Sequence, residues 1–270
     1  MRTSLRTRLR LLLLPLIAAL ALGACSKAPT QSADPSSSSS SSIANTTDDP
    51  NGDTPVAVAE DTPDPSATPA VAHGASTNVQ AKGDLKVYAQ PDGKKVTTTL
   101  KAKTGLGSKT TLLVLDQRDG WFHVALPVRP NGSTGWVKAA DVNVRKNEVS
   151  VTVDLSARTV RVFKGDKVAI ESPIAVGAAD TPTPTGDFFV TDFLQTPDAK
   201  GAYGPFAFGL SGHSDTLTEF AGGDGQIGIH GTNDPSSIGQ AVSHGCVRLP
   251  NDVITLLANT VPLGTPVHIA

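Results

Sequence analysis

"QIGIHGTNDPSSIGQAVSHGCVRL", residues 226 to 249, is the stretch from which the chain is best read. "QIGIH" has the alternation of a strand, with Ile227 and Ile229 on one face and His230 at its end. In "SHGCVRL", Cys246 stands two positions after His244 and two before Arg248. A thiol flanked in this way reads as a nucleophile, a metal ligand or a small buried hydrophobe.

A nucleophilic thiol needs a base or a positive neighbour, a group that orients the base, and donors for the oxyanion formed at a substrate carbonyl. His230 is followed by Gly231 and Thr232, so an exposed backbone carbonyl there could hold one imidazole nitrogen and leave the other for the sulfur. In an extended segment His244 and Cys246 point the same way. Gly245 lets the backbone approach a substrate closely, so the amides of Gly245 and Cys246 are candidate oxyanion donors. Arg248 offers a planar fork for a substrate carboxylate.

Outward from this stretch the chain changes character. Of 270 residues with a formal charge of -2, the first 82 differ from the rest. "MRTSLRTRLR" carries four arginines and runs into "LLLLPLIAALALGAC", an apolar stretch too short to span a bilayer comfortably. This is the plan of a secretory signal, residues 1–24. Leu22, Gly23, Ala24 and Cys25 resemble a bacterial lipobox, which implies lipidation of Cys25 and anchorage to a membrane on its extracytoplasmic side. Cys246 is then the one free thiol of an exported protein, a candidate for chemistry. Basic residues are dispersed, without an aromatic-basic cluster, so nucleic acid is not an expected partner.

Residues 25–82 are rich in Ser, Thr, Pro, Asp and Ala and are expected to form a disordered tether that contains His73. A flexible coil of about 55 residues has an r.m.s. span on the order of 40 Å. Residues 83–145 show five or so short apolar alternations separated by turn signals, the pattern of a small β-barrel. Gly120-Trp121 and Gly135-Trp136 resemble the paired Gly-Trp pattern of bacterial SH3-like domains; the competing reading makes both tryptophans core. Residues 147–270 open with a hairpin, Val149, Val151, Val153 and Leu155 against Val160 and Val162. "DTPTPTG", residues 180–186, is a proline-stiffened loop. The one helix expected is "NDVITLLANT", with Asn251 as N-cap, Asp252 in its first turn, and Val253, Leu256 and Leu257 facing the core.

"HGT" at 230–232 followed by "SHGCVRL", with "AYGPFAFGLSG" before and "LGTPVHI" after, resembles the signature of the L,D-transpeptidase catalytic domain of YkuD type. The fold implied is mainly β: a small SH3-like barrel, then a β-rich catalytic domain with little helix. The resemblance implies Cys246 as acyl-accepting nucleophile, His230 as its base, the Gly231 carbonyl as orienter, and His244, Gly245 and Cys246 as the oxyanion segment. Ser243 and Arg248 also match motif positions, and Thr232 and Tyr203 are taken with them as substrate-binding. Asp180 and Phe220 are further candidates for the cleft.

The function implied is that of a peptidoglycan enzyme, and the protein is expected to be a monomer. It takes a tetrapeptide stem, forms a thioester with the third residue, releases D-alanine and makes a 3→3 cross-link to the side-chain amine of a neighbouring stem. Water as acceptor gives L,D-carboxypeptidase activity instead, and a degenerate domain would be a tethered wall-binding lipoprotein. The class is typically acylated by carbapenems, and no cofactor is implied.

The rival chemistries fit less well. His230, His244 and Cys246 with Asp234 could bind zinc, but their spacing matches no compact zinc pattern and the metal would occupy the thiol. "SGHSD", residues 211–215, lacks the rest of a zinc peptidase motif, which leaves His213 as a loop or cleft-lid residue. NlpC/P60 hydrolases place cysteine before histidine, and sortases place their histidine much farther upstream. His123 and His268 read as ordinary packing or surface residues.

Overall fold

A computed structural model describes residues 74–219 and 223–270. The chain divides between Thr62 and Pro63, and all described residues belong to the unit that begins at Pro63. The signal sequence, the lipidation residue Cys25, most of the tether and Phe220 lie outside the described residues.

The first β domain has seven strands: β1 Ser76–Ala81, β2 Leu85–Tyr88, β3 Val96–Leu100, β4 Thr111–Arg118, β5 Trp121–Ala125, β6 Thr134–Lys138 and β7 Val142–Asn147. They form one antiparallel sheet in the order β3-β2-β6-β5-β4-β1-β7. This corrects the expectation of five or so strands beginning at residue 83, because β1 comes from the end of the segment read as tether. "STNVQA" is too polar to announce a strand, yet it pairs with β4 on one side and β7 on the other and fully buries Val79. Main-chain pairing on both edges holds it where side-chain pattern did not show it.

Trp121 and Trp136 are buried and form a small cluster with Tyr88. Tyr88 meets Trp121 edge-on at 5.0 Å, and His123 stacks on Trp136 at 4.9 Å. Both tryptophans therefore pack inside this domain, and His123 has a packing role.

The second domain begins with β8 Val149–Asp154 and β9 Thr159–Lys164, the expected hairpin, whose five valines are all buried. There follow β10 Lys167–Pro173, β11 Val176–Gly177, β12 Gly186–Gln195, β13 Phe206–His213, β14 Gln226–His230, β15 Ala241–Ser243, β16 Val247–Arg248, helix α1 Asn251–Thr260 and β17 Pro266–Ile269. The main sheet runs β10-β9-β8-β17-β12-β13-β14-β16, with β17–β8 and β14–β16 parallel and the other pairs antiparallel; β11 and β15 pair separately.

Helix α1 packs against β10 and β13. Ile254 and Leu257 face the core, each burial contributing roughly 1.5–3 kcal/mol. Leu256, expected inside, is 54% exposed, since the apolar face centres on 254 and 257. Asn251 is not the N-cap either: Pro250 occupies that position, and the Asn251 side chain accepts the Thr232 amide at 2.9 Å instead.

Strand β12, "GDFFVTDFLQ", joins the two domains because it is buried on both faces. Phe188 and Val190 enter the core of the second domain, while Phe189 between them is fully buried in the core of the first, with Val79, Leu112 and Phe122. Strand alternation sends neighbouring side chains to opposite faces, so one continuous apolar run serves two cores. Polar contacts extend this junction: Asn147 Nδ2 donates to Thr265 Oγ1 at 3.0 Å, and the Arg129 guanidinium donates to the carbonyls of Ser214, Leu217 and Asp224.

Candidate active site

The parallel pair β14–β16 brings the two halves of the motif together. Its register sets Ile229 beside Val247 and His230 beside Arg248, so Cys246 falls next to Gly228. Ile229 and Val247 are buried in the core, which turns the residues on either side of them to the opposite face. Cys246 and His230 both line a cleft of about 880 Å³ on that face.

His230 is 6% exposed, and its Nδ1 lies 2.6 Å from the Gly231 carbonyl. A carbonyl only accepts, so Nδ1 carries the proton and Nε2 presents a lone pair. Burial holds the His230 pKa down at about 4; the bond to Gly231 works the other way, and the nearby Arg248 charge adds to the lowering. The Cys246 thiol is pushed above its ordinary range, again chiefly by burial, against the opposing pulls of the Gly228 amide and Arg248. At neutral pH the resting site is thus a neutral thiol and a neutral imidazole.

Two close approaches set the His230 end of the cleft. Gly204 has a φ of 61°, and a Cβ there would meet Asn251 Oδ1 at 2.2 Å and the Gly231 Cα at 2.7 Å. Only glycine lets these segments touch, and the contact places the Tyr203 ring 4.7 Å from the His230 ring, at the cleft wall. Asn251 closes the same corner through the Thr232 amide.

The Cys246 end is a tight loop braced from within. The Ser243 hydroxyl donates to the Cys246 carbonyl at 2.5 Å and accepts the Gly245 amide at 3.1 Å. The proline-stiffened loop supports it from below: Thr181 Oγ1 and the Ala178 amide both donate to the Ser243 carbonyl.

Several sequence-based roles change in this setting. Ser243 is buried with its hydroxyl committed inside the loop, where it braces the Cys246 backbone. Thr232 is buried too, its hydroxyl accepting the Asp234 amide, and it does not line the cleft. The Gly245 amide is engaged by Ser243, which removes it as an oxyanion donor. Gly245 has a φ of 110°, so the segment is not extended there, and His244 is exposed while Cys246 turns into the cleft. Arg248 is half-buried and away from the cleft lining; its charge still reaches both Cys246 and His230. Asp180 is likewise not part of the lining.

The sequence reading did not identify Asn251, Gly204 and Gly228 as parts of this site. His213, at the end of β13, does line the cleft, with its Nε2 3.1 Å from Asp224 Oδ2. Its backbone is held by Asn131 of the first domain, through bonds of 2.8 and 2.9 Å. Gly204 and Gly231 were visible as glycines in "AYGPF" and "HGT", but nothing local shows that they touch each other.

The fold and site define a β-sheet protein with an imidazole at the end of one strand and a thiol just before its parallel neighbour, both lining one cleft. The family described as L,D-transpeptidase catalytic domain, YkuD, matches residues 148–269. Among curated proteins, "Putative L,D-transpeptidase YkuD" of Bacillus licheniformis is 40% identical over 119 residues, 44% of this chain and 64% of that protein. "Putative L,D-transpeptidase YqjB" of Bacillus subtilis is 37% identical over 131 residues, 47% of this chain and 68% of that protein. The NMR structure of the catalytic domain from E. faecium L,D-transpeptidase is 27% identical, covering 45% of this chain and 96% of that one, with a TM-score of 0.32. The chain belongs to the L,D-transpeptidase family. It spans 64% of the length of the YkuD relatives, and the family match lies in the second domain.

Proposed function

We propose that this protein is a cysteine-dependent L,D-transpeptidase that acts on peptidoglycan and makes 3→3 cross-links. The observation that carries the reading is the bond from His230 Nδ1 to the Gly231 carbonyl, which leaves Nε2 as a base in the cleft that Cys246 lines. The neutral resting pair calls for general-base attack instead of a preformed ion pair.

As the Cys246 sulfur attacks the carbonyl of the third residue of a tetrapeptide stem, its proton passes to His230 Nε2. The oxyanion takes the Cys246 amide as donor, since the Gly245 amide is committed to Ser243. Collapse breaks the amide bond to the terminal D-alanine, whose nitrogen leaves with the proton from His230. The amine of a neighbouring stem then attacks the thioester, losing a proton to His230, and the sulfur departs and is reprotonated. Arg248 favours the thiolate character that develops during attack.

The export signal and the lipobox-like end at Cys25 support an extracytoplasmic lipoprotein facing the cell wall. In this reading the first domain is SH3-like, and the catalytic domain works as a monomer at the end of a tether.

The test is incubation of the protein with purified tetrapeptide muropeptides, followed by mass spectrometry. Dimers that have lost alanine are expected, together with a carbapenem adduct on the wild type and neither product with Cys246→Ala. Tripeptides alone would mean carboxypeptidation, and full activity in Cys246→Ala would falsify the mechanism. Cys25→Ala should leave the membrane fraction; continued tight membrane association overturns the anchor.

A further inference from the structure

We propose that the first β domain is part of the substrate site, with Lys103 receiving a carboxylate of the stem peptide and Leu106 covering an apolar part of it. This rests on the reading of the protein as a peptidoglycan enzyme. The cleft that holds Cys246 and His230 does not end at the second domain: Lys101, Lys103, Thr104, Leu106 and Leu112 line it from the first.

That wall is held in place. Lys103 and Lys109 pair as an isolated bridge, and within the hairpin they close, the Thr104 amide donates to the Ser108 carbonyl and the Gly107 amide to the Thr104 carbonyl. The hairpin is tied to β12 at two points. The Thr104 hydroxyl donates to the buried carboxylate of Asp192, and the Phe193 amide donates to Ser108 Oγ at 3.2 Å. Just along the strand, Phe189 is sunk in the core of the first domain. The hairpin therefore keeps its position relative to β13 and β14, which carry the catalytic end of the cleft.

The charges lining the cleft can be matched one by one. Lys101 pairs with Asp84 at 2.9 Å, Asp224 with His213 at 3.1 Å, and Asp192 accepts from Thr104. Among the described residues this leaves Lys103 without an acidic partner. Beside it, at the tip of the hairpin, Leu106 is 53% exposed. A cation next to an apolar side chain on a fixed wall suits a peptide that carries a carboxylate on an otherwise aliphatic backbone. Stem peptides are of that kind.

The test uses the full chain with Lys103→Glu, Lys103→Arg and Leu106→Ala, assayed on tetrapeptide muropeptides and on the same peptides with their carboxylates amidated. Cys246 alkylation by neutral iodoacetamide reports whether the catalytic end is intact. Lys103→Glu should raise KM about tenfold with kcat within about twofold, Lys103→Arg should resemble wild type, and Leu106→Ala should raise KM about threefold. On amidated peptide the difference between Lys103→Glu and wild type should vanish, and alkylation rates should be equal throughout. KM values within twofold of wild type for both Lys103→Glu and Leu106→Ala overturn this proposal alone. A wild-type protein that neither binds nor converts the peptides overturns the functional reading, and this proposal with it.

Discussion

Ser243 and Cys246 are joined by a hydrogen bond of 2.5 Å from the serine hydroxyl to the cysteine carbonyl, with the same hydroxyl accepting the Gly245 amide. One buried side chain thereby fixes the loop that carries Cys246. Ser243→Ala would leave an amide and a carbonyl without their partner, at about 1–3 kcal/mol of stability. We predict a loss of about tenfold in kcat with little change in KM, because the thiol is misplaced and substrate contacts are kept. Steady-state kinetics with a denaturant midpoint checks it; an unchanged kcat would show that the brace is dispensable.

His230 links the site to acid stability. Its pKa is about 4 in the folded chain against 6.5 for an ordinary histidine, so between these values the unfolded chain binds the proton and the folded chain does not. The contribution is fully present above pH 6.5, is lost as pH falls toward 4, and amounts to about 3 kcal/mol. Urea midpoints for the wild type and His230→Gln from pH 4 to 7 should show a steeper pH slope in the wild type. Parallel slopes would mean that the imidazole is not held neutral.

The same neutral pair sets the reactivity of the thiol. Cys246 is raised above its ordinary range, so alkylation by iodoacetamide should keep climbing with pH beyond the point where an exposed cysteine levels off. Arg248→Ala should slow alkylation several-fold at neutral pH, since the charge that favours the thiolate is gone. A plateau near pH 7 in the wild type would instead indicate a preformed thiolate–imidazolium pair.

Phe189 gives a test of the domain junction. Phe189→Ala empties a fully buried position in the first domain from a strand of the second, and should cost about 3–5 kcal/mol. Both tryptophans of the chain lie in the first domain, so their fluorescence follows it, while exposure of Cys246 to alkylation follows the second. The two transitions should coincide in the wild type and separate in the variant. Separate transitions in the wild type would show that the junction does not couple the domains.

Gly204→Ala would drive a methyl group into Asn251 and the Gly231 backbone at a residue of positive φ. Tyr203 should move off His230, with kcat falling more than tenfold while Cys246 alkylation is less affected. Wild-type kcat would show that this contact does not matter.

What the sequence determined by itself is local and chemical. The five valines of β8 and β9 revealed their hairpin because strand alternation is written in consecutive residues. His230 at a strand end and Cys246 beyond a glycine pointed to thiol–imidazole chemistry through residue type and order alone. Tertiary structure decided the rest. Only the parallel register of β16 on β14 brought thiol and imidazole to one cleft, and only the left-handed Gly245 turned Cys246 inward and left His244 outside. The commitment of Ser243, the meeting of Gly204 with Gly231, the opposite burials of Phe188 and Phe189, and the hairpin wall carrying Lys103 all depend on segments distant in sequence. The physical reason is that side-chain periodicity records which face of an element is buried, and carries no record of the surface it is buried against.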